Sequence, residues 1–418
     1  MRSFLLIILT TVFVIRAEKP QQIHLSLTKN AMEMQVTWIT MTNESVARQR
    51  VEYRKSATSR MTYINAITTE FNEKKDSIRF VHRAVMTNLN PGDQYVYQVG
   101  IPSDLSPEFV FTHPAANPPY RICIFGDLGV ENGMSMPQLL KEAEKRSFDL
   151  IIHIGDIAYD LFKHQGTVGD EFLNTLQPLL ATVPYMVIPG NHEEEEGKNF
   201  TTFKNLFSMP DYEIGENSFY SFNLGPVHFV ALSSEYYAYH NDYGTGPGLK
   251  QYEWLQNDLQ SAVSNRNSQP WIIAYHHRPF YCSNHNSDKC TVYEDNLIRE
   301  GGDGLPGWEA LYNSSKVDLV FSGHEHSYER FYPRQAGIEN SPNPYHNSPT
   351  PVYIVSGAAG CHSDHSRFSK NAADFSAAKS LDYGFSRLTV VNRTHIHLEQ
   401  YSVDQNKIID EAWFSKDV

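Results

Sequence analysis

Residues 151–160, which read IIHIGDIAYD, decide the fold of this chain. They continue an apolar run, Leu150–Ile154, that has the length and the β-branched side chains of a buried strand. Gly155 ends the run, Asp156 follows it directly, and Tyr159 lies about one helical turn further on. The carboxyl ends of buried strands are where α/β sheets hold their ligands, so Asp156 and Tyr159 are candidate site residues.

Four other apolar runs of the chain end in the same way. A single Asp after a glycine is usually a turn or a helix N-cap, so the repetition is what indicates a site. The carboxyl ends of parallel strands lie at one edge of a sheet, where residues spread over roughly 200 positions can meet. The runs are Ile122–Phe125 before Gly126 and Asp127, Tyr185–Ile188 before Asn191 and His192, Trp271–Tyr275 before His276 and His277, and Val317–Phe321 before His324, Glu325 and His326.

The side chains at these strand ends are of the types that bind metal ions. The candidate ligands are Asp127, Asp156, Tyr159, Asn191, His277, His324 and His326. Two residues apart on an extended loop, His324 and His326 can reach two different ions. The two oxygens of Asp156 can bridge such a pair, which predicts a two-metal site with ions about 3.5–4 Å apart.

The ligand types differ between the two predicted ions. A phenol, with a pKa near 10, loses its proton readily only to a strongly charged cation, so Asp127 and Tyr159 suit a trivalent ion. The amide of Asn191 and the imidazole of His277 suit a divalent one. With a bridging hydroxide, such a site keeps a small positive charge and can hold a phosphate monoester.

The first 17 residues differ from the rest of this 418-residue chain. Arg2 precedes an uncharged apolar run, Phe4–Ile15, and Ala17 closes it, which predicts a secretory signal peptide over residues 1–17. A membrane span needs about twenty apolar residues, so no span is expected. We therefore expect a secreted protein, extracellular or endolysosomal.

Sequons and cysteines agree with secretion. Cys282 and Cys290 enclose a short polar loop, which predicts a disulfide in an oxidising compartment. Cys123 lies in an apolar strand and is expected to be a buried thiol, whereas Cys361 is unassigned, because four cysteines allow three full pairings. N-glycans are predicted at the Asn-x-Ser/Thr sites Asn43, Asn199, Asn313 and Asn392.

The net charge of −13 excludes one class of partner. No Lys/Arg cluster stands out, so nucleic acid is not expected to bind. An acidic protein does not steer anionic substrates from a distance, so affinity for phosphate must come from the site itself.

Residues 18–115 and 119–418 differ in pattern, on either side of a proline-rich joint, Pro114–Pro119. The first part alternates apolar and polar residues, and its segment Leu89–Tyr97 places a turn before alternating aromatics. That pattern resembles a fibronectin type III sandwich with a tyrosine corner. A packing role for it is favoured over substrate gating or adhesion. The second part alternates strands and helices and returns to strands from about residue 350.

The five blocks together resemble the signature of the purple acid phosphatases, a family of the calcineurin-like metallophosphoesterases. The blocks are GDLG (126–129), GDIAY (155–159), GNHE (190–193), the region of His277, and GHEH (323–326). The resemblance covers essentially all of the chain after residue 17. It implies an α/β fold of two β-sheets flanked by helices, preceded by an all-β fibronectin III-like domain. It also implies a secreted acid phosphatase that hydrolyses phosphate monoesters, including phosphopeptides, with a metal-bound hydroxide as nucleophile.

The resemblance implies a role for each site residue. Asp127, Tyr159 and His326 would bind Fe(III), and Asp156 would bridge. The divalent ion, zinc, iron or manganese, would be bound by Asn191, His277 and His324. His192 would contact phosphate or protonate the leaving group.

Some positions depart from the family pattern or have two interpretations. Ala274 stands where the fourth block usually has Val, and the tandem His276 and His277 leaves the register open, with His277 favoured. His285 is the candidate for a second substrate histidine, although its spacing is imperfect. Arg278 suits either a phosphate contact or a salt bridge behind the ligands, and a solvated acidic run is predicted for residues 193–196.

Two other functions agree less well with the sequence than an acid phosphatase does. A phosphodiesterase or nucleotidase of the same superfamily is disfavoured by Tyr159 and by the lack of a C-terminal nucleotide-binding domain. A non-catalytic adhesion or receptor protein would have lost ligands, and none of the seven is lost.

Overall fold

The computed structural model describes residues 19–42, 48–57, 60–72, 78–284, 293–335, 337–361, 365, 367–369 and 375–418. The predicted signal peptide (1–17), Asn43, His285 and Cys290 lie outside these residues, so the disulfide to Cys282 stays a prediction. Cys123 is a buried thiol, as predicted, and Cys361 is also buried, with its sulfur 3.5 Å from the hydroxyl of Tyr383. Among the described residues, no helix has both the length and the apolar character needed to cross a membrane.

The first domain is an antiparallel β-sandwich. One sheet has the strand order β1-β2-β6-β5, and the other has β4-β3-β7-β8, with β9 also paired to β7. Trp38 and Tyr97 are fully buried in the core, and the Tyr95 hydroxyl accepts the N–H of Asn90 at 2.8 Å, the contact of a tyrosine corner. The strands are β1 Gln21–Leu27, β2 Met34–Thr40, β3 Arg50–Lys55, β4 Thr62–Asn65, β5 Ile67–Asn72, β6 Ile78–Met86, β7 Gln94–Ile101, β8 Asp104–Leu105 and β9 Phe109–Thr112.

The second domain alternates strands and helices and ends in strands. Its strands are β10 Tyr120–Phe125, β11 Leu150–Ile154, β12 Tyr185–Ile188, β13 Tyr220–Leu224, β14 Val227–Ala231, β15 Trp271–Tyr275, β16 Gly301–Gly302, β17 Leu305–Pro306, β18 Leu319–Ser322, β19 Tyr328–Phe331, β20 Val352–Ser356, β21 Ser376–Ser380, β22 Gly384–Val390, β23 His395–Ser402 and β24 Lys407–Ser415. Its helices are α1 Met136–Glu144, α2 Thr167–Leu180, α3 Thr201–Leu206, α4 Tyr212–Gly215, α5 Glu235–Ala238, α6 His240–Tyr243, α7 Gly246–Ser264, α8 Tyr293–Glu300 and α9 Glu309–Ser315, with 3₁₀ turns at Asn191–Glu193 and Ile338–Asn340.

Two sheets form the framework of this domain. One has the order β12-β11-β10-β22-β23-β24 and the other β13-β14-β15-β18-β20-β19-β21. The five apolar runs of the sequence are parallel strands, β10, β11 and β12 in one sheet and β15 and β18 in the other, where β14 and β20 also run parallel to their neighbours. The carboxyl ends of the two sheets meet, since the N–H of Gly126 after β10 donates to the carbonyl of Ser356 at the end of β20 at 2.8 Å.

The sandwich is fastened to the second domain beside α2. Arg79 forms a two-pronged ion pair with Asp170, with contacts of 2.9 and 2.6 Å, and it also donates to the carbonyl of Gln165 at 2.8 Å. Gly166 has a φ of +84°, and a Cβ there would lie 2.6 Å from the Arg79 guanidinium. The Tyr97 hydroxyl adds a second fastening by donating to the carbonyl of Ala181 at 2.7 Å. These contacts agree with a packing role for the sandwich.

Replacement of Arg79 by Met should destabilise the protein by about 3 kcal/mol, because it leaves the carboxylate of Asp170 partly buried without its cation. The side chain of Arg79 is 4% exposed, whereas that of Arg121, paired with Asp149, is 49% exposed. The matched variant Arg121→Met should therefore cost less than about 1 kcal/mol. Urea unfolding measures both losses, and equal losses would mean that the Arg79 pair contributes no more than a surface pair.

Candidate metal centre

The structure brings all seven predicted metal ligands together at the meeting edge of the two sheets. In three of the loops that follow the parallel strands, the candidate ligands Asp127, Asp156 and His324 adopt left-handed backbone conformations with φ of 61°, 51° and 67°. Such conformations are unfavourable for residues with a Cβ and are typical of functional loops. Asp127, Asp156 and His277 each offer one donor atom within 4.8 Å of the others, and all three are buried.

One group of donor atoms surrounds the amide oxygen of Asn191. Nε2 of His277 lies 3.1 Å and Nδ1 of His324 lies 2.9 Å from Asn191 Oδ1. Nε2 of His277 is also 3.4 Å from Oδ1 of Asp156. This is the set that the sequence predicts for the divalent ion.

The second group surrounds the tyrosine hydroxyl. The oxygen of Tyr159 lies 3.0 Å from Nε2 of His326 and 3.4 Å from Oδ1 of Asp127. Nε2 of His326 is 3.6 Å from the same Asp127 oxygen. This is the set predicted for Fe(III), and a donor atom of Asp156 lies within 4.8 Å of one from each group, those of Asp127 and His277.

Similarities to known proteins cover nearly the whole chain. Residues 120–328 match the family model of calcineurin-like phosphoesterases, residues 20–113 that of the purple acid phosphatase N-terminal domain, and residues 350–411 that of iron/zinc purple acid phosphatase-like protein C. Acid phosphatase type 7 of Danio rerio is 39% identical over 413 residues, which cover 96% of this chain and 92% of that protein. The chain belongs to the purple acid phosphatase family.

Other relatives agree with this assignment. Acid phosphatase type 7 of Homo sapiens is 37% identical, with coverage of 94% of this chain and 90% of that protein. The solved structure of purple acid phosphatase PPD1 from yellow lupin seeds has the same fold, with a TM-score of 0.81, 23% identity, and coverage of 96% of this chain and 75% of that chain. The predicted fold class and the predicted enzyme class, a purple acid phosphatase, are both confirmed.

The tandem histidines of the fourth block have different environments. Nδ1 of His277 donates to the carbonyl of Ile154 at 2.9 Å, so the lone pair of its Nε2 points toward the other ligands. His276 points away, and its ring packs 4.7 Å from that of Phe280 and 5.5 Å from that of Trp308. The sequence favours His277, and it is His277 that faces the cluster.

The electrostatics of the cluster fit a cation. Burial raises the pKa of the Asp127 carboxyl, and burial together with Asp127 and Asp156 raises the pKa of the Tyr159 hydroxyl, so neither group ionises readily without nearby positive charge. Burial lowers the pKa of His277, but Asp156 and Asp127 outweigh it and raise that pKa to about 10. The carboxylates thus favour positive charge at the position of His277 Nε2. Hard oxygens and imidazole nitrogens converge here, as the family's metals require.

Glu193 of the GNHE block holds the ligand loops in place. Its Oε2 accepts the N–H groups of Asp156 and Gly190, both at 2.8 Å, and its Oε1 accepts that of Ile157 at 2.9 Å. Glu193 is 1% and Glu195 2% exposed, so the prediction of a solvated acidic run is wrong for both. The role of Glu193 could have been inferred from its place in the sequence. It is the third residue of the turn that begins after Gly190, and a Glu side chain at that place can accept the backbone N–H of the residue before the turn.

His192 lies at the edge of the cluster, and two residues outside the predicted site, Asp160 and Lys163, help to orient it. The backbone N–H of His192 donates to Oδ1 of Asp156 at 2.9 Å, and Nδ1 of its ring lies 2.6 Å from Oδ1 of Asp160. Lys163 contacts the other oxygen of Asp160 at 2.5 Å. Burial lowers the pKa of His192, but the hydrogen bond to Asp160 and the charge of Asp156 raise it to about 9. In the sequence, the only indication that Asp160 belongs to the site is that it directly follows the candidate ligand Tyr159.

Replacement of Glu193 by Gln should weaken metal binding about 10- to 100-fold, the usual effect of changing a group that orients metal ligands. A neutral amide accepts through one oxygen and turns its NH₂ toward backbone N–H groups, which disorders the turns at Asp156 and Gly190. Glu196→Gln, an exposed change in the same run, is the control. Metal titration with content measured by mass spectrometry compares the two, and equal affinities would contradict the role of Glu193.

Proposed function

We propose that the chain is a secreted acid phosphatase that hydrolyses phosphate monoesters, phosphopeptides among them, at a binuclear centre of Fe(III) and a divalent ion. The observation that carries this proposal is the convergence of seven donor side chains in two groups with Asp156 between them. Membership of the purple acid phosphatase family supports the same reaction.

Each group of donors would hold one ion. Asp127, Tyr159 and His326 would bind Fe(III), and Asn191, His277 and His324 would bind zinc, iron or manganese. Asp156, which has one oxygen toward His277, would bridge the two ions. When bound, the ions would lower the pKa of a water, so that hydroxide is available as the nucleophile, and would neutralise the charge of the phosphate.

His192 would act on the leaving group. With Nδ1–H directed at Asp160, the second proton of the imidazolium sits on Nε2, which is 4.0 Å from Oδ2 of Asp156. A proton held there is available to the oxygen of the departing alcohol. Asp160 and Lys163 keep the ring in this orientation. His285, outside the described residues, stays a proposed second contact for the substrate.

The proposal includes secretion. A signal peptide over residues 1–17 would direct the chain to an extracellular or endolysosomal compartment, where Cys282 and Cys290 would pair. The domains would be 18–115 and 119–418, with the family's C-terminal segment from about residue 350. N-glycans are proposed at Asn43, Asn199, Asn313 and Asn392; Asn313 and Asn392 are exposed, and Asn199 is half-buried.

Purified protein should release phosphate from a panel of monoesters and contain two metal ions, one of them iron. Asp156→Ala should lose both ions and essentially all activity, because Asp156 is the ligand shared between the two groups. Asp242→Ala, which removes an exposed carboxylate of α6, serves as the matched control. Metal analysis and phosphate-release assays test the three proteins, and an Asp156→Ala protein with full metal content and turnover would refute the two-metal assignment.

The oxidised, iron-loaded protein should be pink to purple, because a phenolate bound to Fe(III) absorbs visible light by transfer of charge to the metal. Tyr159→Phe should lose this band, whereas Tyr63→Phe, at a tyrosine that is 60% exposed, should keep it. Activity should fall less for Tyr159→Phe than for Asp156→Ala, since the bridging ligand remains. Visible spectra of the three proteins measure the effect, and an unchanged band in Tyr159→Phe would show that Tyr159 is not a ligand.

A further inference from the structure

The loops that carry Asp127 and Asp156 run side by side beyond the ends of β10 and β11. The backbone N–H of Asp127 donates to the carbonyl of Gly155 at 3.1 Å, and the N–H of Gly129 donates to the carbonyl of Ile157 at 3.0 Å. Both hydrogen bonds keep the register in which the two parallel strands pair. The two ligand loops therefore form one unit, and Gly129 has a fixed place in it.

Gly129 lies against the aromatic ring of Tyr159. Its φ is +72°, a conformation that residues with a Cβ rarely adopt, and a Cβ built there would lie 2.8 Å from Cδ2 and 3.4 Å from Cε2 of the ring. Carbon atoms in contact are normally about 3.5–4.0 Å apart. A side chain at position 129 would therefore displace the ring, or the loop beside it, by roughly 1 Å.

The ring that Gly129 contacts carries the hydroxyl predicted to bind Fe(III). That hydroxyl of Tyr159 lies 3.0 Å from Nε2 of His326 and 3.4 Å from Oδ1 of Asp127. The ring also packs edge-to-face on the imidazole of His192, with the ring centroids 4.6 Å apart. Metal–ligand distances vary by only about 0.2 Å, so a displacement of roughly 1 Å would take the hydroxyl away from an ion bound by its two neighbours.

We infer that Gly129 is a positioning residue for Tyr159, because the missing Cβ leaves the space in which the phenol reaches Asp127 and His326. The inference rests on the proposed role of Tyr159 as a ligand and adds the residue that sets the place of its ring. A positive φ would by itself account for a glycine, since turns commonly use one for that purpose. The two explanations differ in their consequences, because only the contact with the ring connects position 129 to the metal.

Gly92 provides the matched control. It lies in a turn of the sandwich with a φ of +81°, and a Cβ there would have no atom of the described residues within 4 Å. An alanine at either position adopts an unfavourable left-handed backbone conformation. The alanine at position 129 alone adds a contact with the phenol. A difference between the two variants therefore measures the contact and not the backbone.

The test compares the iron-loaded, oxidised wild type with Gly129→Ala and Gly92→Ala. Gly129→Ala should shift the visible band assigned to Tyr159 and lower its intensity per bound iron, because the phenol oxygen is displaced. Its affinity for iron should fall by about 10- to 100-fold, the usual effect of changing a group that orients a metal ligand. Gly92→Ala should keep the spectrum and the iron affinity of the wild type. The same spectrum and iron affinity in both variants would overturn the inference.

A second variant decides if Gly129→Ala does not fold. Replacement of Tyr159 by Ala in the same chain removes the ring, and with it the contact that the new methyl group would make. Gly129→Ala/Tyr159→Ala should then fold, as judged by circular dichroism and by a cooperative transition in urea. A double variant that also fails to fold would show that Gly129 is required by the backbone alone, and the inference would be wrong.

The spectrum of Tyr159→Phe tests the proposed function separately. If Tyr159→Phe loses the band and Gly129→Ala keeps it unshifted with normal iron affinity, the positioning role is wrong and the ligand assignment stands. If Tyr159→Phe keeps the band, the ligand assignment is wrong, and the positioning role fails with it. The pattern over the two variants thus distinguishes the two failures.

Discussion

The burial of several carboxylates in one small volume is the constraint on which the site depends. Asp127, Asp156 and Glu193 are 0%, 2% and 1% exposed. Burial raises the pKa of Glu193 to about 8, and the charge of Asp156 adds to that effect. Like charges in a medium of low dielectric repel strongly unless cations or hydrogen-bond donors lie among them. The imidazoles and the backbone N–H groups around these carboxylates supply part of the compensation, and a bound metal pair would supply the rest.

The same crowding explains why glycine precedes a ligand in the blocks GD, GN and GH. A Cβ on Gly155 would lie 2.5 Å from Nδ1 of His277, and one on Gly323 would lie 2.5 Å from Oδ2 of Asp127. A Cβ on Gly190 would collide with the carboxylate of Asp156. Each glycine is required by a ligand that comes from a different strand. The repeated motif of a glycine before a ligand therefore reflects a steric requirement, since neighbouring strand ends leave no room for a Cβ at these glycines.

This relation shows which parts of the molecule are predictable from the sequence and which are not. The parallel strands and the ligands at their ends are local patterns, an apolar run followed by glycine and a polar side chain, so they are readable along the chain. Nε of Arg278 donates to the carboxylate of Glu235 at 3.2 and 3.0 Å, and this ion pair, like the three hydrogen bonds of Glu193, joins segments that are separate in sequence. The segments around Arg278 and Glu193 do not show that either residue is paired, because its partners lie next to it only in the folded protein. A buried carboxylate and a solvated one look the same in the sequence.

The contacts between the sandwich and the second domain also join residues that are far apart in sequence. They involve the loop that carries Asp160, the partner of His192. In the middle of the loop between β11 and α2, Asp160 contacts His192 and Lys163. Where the loop meets α2, Arg79 of the sandwich donates to the carbonyl of Gln165 and pairs with the carboxylate of Asp170. One short loop thus joins the sandwich to the histidine proposed as proton donor. The sandwich therefore contacts the same loop that carries Asp160, although the predicted metal ligands all belong to the second domain. A packing contact of the sandwich at Gln165 and the contact of Asp160 with His192 thus lie on one loop, five residues apart.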